Sequence, residues 1–117
     1  MKRILFVFIS LLLLFSSATY AACSSISCSG IGLEVVKRVY LSSAGNIHIE
    51  GPADVTNLNC TLVSGKYMTL KGGPDGHVLY KEIYSTILTG ISTNKYLSFR
   101  VREGTSNCEI IYATMLK

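Results

Sequence analysis

Between His77 and Ser92, Leu79, Ile83, Ile87 and Ile91 recur every four residues, and Tyr80, Tyr84 and Leu88 form a stripe beside them. No other feature constrains the fold as much. A strand over this stretch would turn Lys81, Ser85 and Thr89 into its apolar face, so the spacing predicts a helix despite several β-branched residues. Asp75 is the expected N-terminal cap, and Gly90 falls near the helix end.

The chain on either side of the helix reads as strand. Residues 33–41 put Leu33, Val35, Val39 and Leu41 on one face, interrupted by Lys37, which predicts a partly exposed strand. A turn cluster, Ser42-Ser43-Ala44-Gly45-Asn46, leads into alternating Ile47, His48, Ile49 and Glu50, completing a β-hairpin. Gly51-Pro52-Ala53-Asp54 breaks the chain. Residues 58–62 alternate again with Cys60 on the apolar face, and residues 66–70 continue that strand past a bend at Ser64-Gly65. Lys71-Gly72-Gly73-Pro74-Asp75-Gly76 is a loop. After the helix, Leu97, Phe99 and Val101 face inward against Ser98, Arg100 and Arg102, and a turn at residues 103–107 leads to a last strand with Cys108, Ile110 and Tyr112 inward. The order is β-β-β-α-β-β, mainly β with one helix. It is the order of the five-stranded OB-type barrel. An open α+β sheet with one packed helix is the second architecture compatible with it.

The N-terminus carries an export signal. Lys2 and Arg3 precede an apolar run from Ile4 to Phe15, and small residues follow. That run is too short to span a bilayer comfortably. Cutting after Ala21 places small Thr19 and Ala21 at the two selective positions; cutting after Ala22 places Tyr20 there. The expected organisation is a signal peptide at residues 1–21, an irregular Ser/Gly-rich leader at residues 22–32 and one OB-like domain at residues 33–117. The product is expected in the periplasm or secreted. Ala21-Ala22-Cys23 also looks like the end of a lipoprotein signal, but Tyr20 stands where an aliphatic residue is usual, so lipidation of Cys23 is the lesser expectation.

Removing residues 1–21 takes Lys2 and Arg3 from eleven basic residues, leaving nine against seven acidic ones. A net charge near +2 is no footprint for nucleic acid, so no nucleic-acid partner is expected. With no second long apolar run, no membrane span is expected either.

Four cysteines, Cys23, Cys28, Cys60 and Cys108, remain in the exported chain. An even count in a small exported domain points to disulfides, and three pairings are possible. Cys23 with Cys28 is a natural local loop, and Cys60 with Cys108 a natural cross-sheet staple worth about 3–4 kcal/mol. No Cys-x-x-Cys or His-x-x-x-His spacing occurs, so neither a metal nor any other cofactor is expected.

Catalytic residues are scarce. His48 and His77 are the two histidines. His48 shares a strand face with Glu50, where a solvent-facing pair is the plainer reading than a dyad, and His77 adjoins the helix start. There is no Gly-x-Ser-x-Gly elbow, and the glycine-rich loop lacks the Lys-Ser/Thr of a phosphate loop. An enzyme is therefore not expected. For ligand contacts, Ser98, Arg100 and Arg102 on one strand face are the candidates, suited to a sugar or an acidic partner. Seven tyrosines add flat apolar faces with polar tips.

The patch from Leu79-Tyr80-Lys81-Glu82-Ile83-Tyr84 through Thr93-Asn94-Lys95-Tyr96-Leu97-Ser98-Phe99-Arg100-Val101 sets a Tyr-bearing helix before a short polar turn and an alternating strand. With the strand order and the cysteines, residues 35–112 resemble the OB-fold B subunits of AB5 toxins of the subtilase cytotoxin and typhoid toxin type, and small exported bacterial proteins of the same layout. The resemblance implies a non-catalytic, glycan-recognising subunit and a homo-oligomer, a pentameric ring in the toxins. The other expectation is a periplasmic inhibitor or immunity protein that binds an exported partner enzyme.

Overall fold

A computed structural model describes residues 20–116. Of the expected signal segment, only Tyr20 and Ala21 are among the described residues; the rest lies outside them. The elements run β1 Ala22–Cys23, β2 Ser27–Ile31, a one-turn helix α1 Gly32–Val35, β3 Arg38–Leu41, β4 Ile47–Glu50, a 3-10 turn Val55–Asn57, β5 Tyr67–Leu70, the main helix α2 Tyr80–Ser92, β6 Tyr96–Val101 and β7 Ile110–Leu116. The protein is mainly β, with one main helix and two antiparallel sheets. One sheet has the order β1-β2-β6-β7, the other β3-β4-β5. The two meet at a parallel bridge between Thr69 and Glu109, where the Thr69 N–H donates to the Cys108 carbonyl at 3.0 Å. They form two ladders rather than one closed one.

Strand alternation builds the core. Ile47 and Ile49 of β4, Met68 and Leu70 of β5, and Leu97, Phe99 and Val101 of β6 are all buried. Helix α2 contributes Ile83, Ile87 and Gly90. Its stripe is rotated from the one predicted: Tyr80 and Tyr84 pack against the core while Leu79 is exposed. On the polar face the hydroxyls of Thr86, Thr89 and Ser92 are satisfied within the helix, each donating to the carbonyl four residues back at 2.8–2.9 Å. Asp75 is not the cap. Leu79 holds that position without a side-chain cap, and the Leu79 N–H donates to His77 Nδ1 at 2.9 Å. The helix ends where Asn94 takes a left-handed φ of 50° and the Lys95 N–H returns to the Gly90 carbonyl at 2.9 Å.

Four local expectations are corrected. The leader at residues 22–32 is not irregular, because Ser27–Ile31 forms β2 in the interior of the four-stranded sheet. Cys28 and Gly30 face in while Ser27 and Ser29 face out, an alternation concealed by small side chains. Residues 33–41 are not one strand. They divide into α1 and β3, because Gly32 packs on the Gly90 backbone and the Gly32 N–H donates to the Lys95 carbonyl at 2.9 Å. Residues 58–62 form no strand and are held by links such as Thr61 N–H to the Thr105 carbonyl at 3.0 Å. In the last strand Tyr112 points out, because the β6–β7 register shifts at Arg100/Val101 and leaves Ile111 unpaired. A single bulged residue exchanges the two faces beyond it, so Ala113 and Met115 point in.

Both disulfides pair as the spacing suggested. Cys23–Cys28 closes the turn between β1 and β2, and Cys60–Cys108 ties the irregular segment to the start of β7. No described helix is long and apolar enough to cross a membrane.

Candidate functional site

The outward residues of β2, β6 and β7 form a grid set by strand register. One row is Ile31, Tyr96 and Leu116; the next is Ser29, Ser98 and Thr114; the third is Ser27, Arg100 and Tyr112. Rows two residues apart along a strand and strands at ordinary spacing give a platform of about 10 by 14 Å. Beneath it lie Cys28, Leu97, Phe99 and Ala113, so the platform rests on the core. The middle row is a line of hydroxyls, with Ser29 Oγ and Ser98 Oγ hydrogen-bonded at 2.9 Å. Tyr96 stands mid-row at one end of the grid and Tyr112 at a corner of the other, 45% and 44% exposed, enough to offer a ring face to a ligand. The Arg100 guanidinium has no acidic partner among the described residues, which leaves its planar fork free.

Two of the three predicted contact residues, Ser98 and Arg100, lie on this grid. Arg102 does not. It follows the end of β6, is exposed, and pairs with Glu109 at 3.9 Å beside a polar hollow lined by Lys71, Asp75 and His77. His77 there is used structurally: Nε2 donates to the Ile111 carbonyl at 2.8 Å while Nδ1 accepts from Leu79. The sequence reading missed Ser27, Ser29, Tyr112 and Thr114. The polar-apolar alternation of Ser27-Cys28-Ser29-Gly30 was the available signal for the first two; the bulge hid the others.

The outer face of the second sheet is occupied with itself. The Tyr40 ring stacks on His48 at 5.2 Å, and His48 Nδ1 bonds Thr69 Oγ1 at 3.0 Å. Glu50 pairs with Arg38 at 3.7 Å rather than with His48, so the two make no dyad. Burial lowers the His48 pKa from its ordinary value. Tyr67 and Thr69 are buried, so most of this face's polar groups are engaged within the protein. Compared with protein-family models, curated proteins and solved structures, the chain has no match. Among the described residues no three His, Cys, Asp or Glu side chains cluster as a metal site would need. The grid offers ring faces, paired hydroxyls and one unengaged guanidinium.

Proposed function

We propose that the protein is an exported, non-catalytic binding module that recognises a glycan on the outer face of β2, β6 and β7. The observation that carries this reading is the grid itself. A sugar offers C–H faces that pack on aromatic rings and hydroxyls that match Ser29, Ser98 and Thr114, and an acidic sugar adds a charge for Arg100. The two disulfides suit the oxidising periplasm or exterior, where the signal segment would deliver the chain.

The proposed architecture behind the site is OB-type. Neighbour order runs β3-β4-β5, passes to β7 through the Thr69–Glu109 bridge, and continues β6-β2. The segment from β2 through α1 to β3 then links the two ends, so the order is that of a barrel whose first strand is broken by α1. The sheet edge β3 is where copies would pair in a toxin-B-like ring.

A glycan array with the oxidised, signal-free protein tests the reading. Binding should appear and should fall at least tenfold in Arg100→Ala and Tyr112→Ala, with unfolding midpoints unchanged because both side chains are outside the core. Absence of glycan binding, or binding indifferent to both substitutions, would overturn it. A second reading, an inhibitor or immunity protein for an exported enzyme, draws on the Tyr and Arg of the same face, the residue types that anchor protein interfaces. Under that reading the two substitutions would weaken capture of a single exported protein and the array would be blank.

A further inference from the structure

The chain's one buried, unpartnered side-chain oxygen among the described residues is Oδ1 of Asp54. Its other oxygen, Oδ2, accepts the Cys23 N–H at 3.0 Å. The neighbouring Asn57 Nδ2 donates to the Cys23 carbonyl at 3.3 Å. The 3-10 turn thus holds the outer edge of β1 by side chains that imitate a further strand. Asp54 brings a full charge to that task where a carbonyl would serve, and among the described residues no lysine, arginine or histidine pairs with it. A buried carboxylate oxygen left unmatched is destabilising, and a cation close to Cys23 would relieve it.

We propose that the missing partner is the α-ammonium released when the leader is removed, so that Asp54 is a receptor for the mature N-terminus and export processing completes the fold. The inference rests on the export reading and is independent of any glycan. A cut before Cys23 makes the nitrogen already 3.0 Å from Oδ2 the ammonium itself. A cut before Ala22 puts the ammonium within one residue step of that nitrogen, about 3.8 Å at most, and the freed terminus would turn out of its pairing with Ser29 to reach Oδ1. The unprocessed chain has an amide there, with one N–H to give. Ala21 sits against Gly30, where a Cβ would lie 2.7 Å from the Ala21 Cα; the bare glycine leaves room for residues ahead of Ala22. The longer chain also keeps the packing of Ala21 on the core, so the effect of charge is the part of the difference between the two forms that depends on Asp54.

The test begins with the mass of the exported protein. A free amine on Ala22 or Cys23 supports the proposal; an intact leader or an N-acylated Cys23 overturns it and leaves the glycan reading standing. Urea unfolding is then compared for four oxidised proteins: the mature chain, the chain begun two residues earlier at Tyr20, and Asp54→Asn in each. Asparagine keeps an acceptor for the Cys23 N–H and removes the charge. The earlier start should weaken the folding constant about tenfold more when Asp54 is present than in the Asp54→Asn background, as expected for a charged hydrogen bond. Equal effects in both backgrounds, or none in either, would overturn the proposal. If Asp54→Asn does not fold, the acylation rate of the native mature α-amine replaces it. A rate at least tenfold below that of the urea-unfolded chain supports the pair, and an equal rate refutes it.

Discussion

Removing the Cys60–Cys108 bridge as a double Cys→Ala variant should cost clearly more than removing Cys23–Cys28 the same way. The larger bridge spans 48 residues and the smaller five. Loop-closure entropy gives about 4 kcal/mol for the first and about 2 kcal/mol for the second. Cys108 and Cys28 are both fully buried, so truncation adds a cavity cost of roughly 1 kcal/mol to each variant. The segment the larger bridge anchors has little else to hold it, chiefly Asn59 N–H to the Ser25 carbonyl at 2.8 Å and Thr61 N–H to the Thr105 carbonyl at 3.0 Å. A domain of this size has a total stability of roughly 5–15 kcal/mol, so the larger loss is a large share of it. The assay is urea unfolding followed by far-UV circular dichroism without reductant. At about 1–1.5 kcal/mol per molar urea, the midpoint should drop by roughly 3 M or more for the first pair and by roughly 2–3 M for the second. Equal drops, or a larger drop for Cys23–Cys28, would refute the loop-length reasoning and shift the weight to local packing of the β1–β2 hairpin.

Other expected outcomes concern packing, pH and assembly. A Cβ at Gly32 would lie 2.9 Å from the Ile91 Cα and closer still to the Gly90 carbonyl, both backbone, so Gly32→Ala should destabilise by about 2–3 kcal/mol in urea unfolding. Because burial lowers the His48 pKa, the unfolded chain binds the proton more readily. Stability should then be present above the unfolded value near 6.5 and decline as pH falls through the lower folded value. His48→Gln should flatten the dependence of the urea midpoint on pH below about 6.5, and an unchanged slope would refute the assignment. Light scattering on a sizing column should give a mass near five protomers if the toxin-B-like ring forms, whereas a monomer would favour the inhibitor or immunity reading.

The parts legible in the sequence are those with unbroken periodicity. The helix, the Ile47–Glu50 hairpin strand and the Leu97–Phe99–Val101 face each have several consecutive side chains of one class, and all appear where expected. The misreadings share a physical cause, because each depends on a contact distant in sequence. Gly32 turns into α1 against Gly90, β2 is recruited by β6, and the shift at Arg100/Val101 re-aims Tyr112. The candidate site was half visible for the same reason. Ser98 and Arg100 share a strand and could be read together, but Ser29 and Thr114 join them only through pairing across three strands. The disulfides were legible because short spacing favours a local loop and the remaining two cysteines then have one partner each.

The measurement that tests the central claim most directly is amide chemical-shift mapping of isotope-labelled, oxidised protein titrated with the strongest ligand from the glycan array. Saturable shifts are expected at Ser29, Ser98, Arg100, Tyr112 and Thr114, abolished in Arg100→Ala. Shifts confined to the Tyr40–His48 face, or no shifts with any glycan, would contradict it.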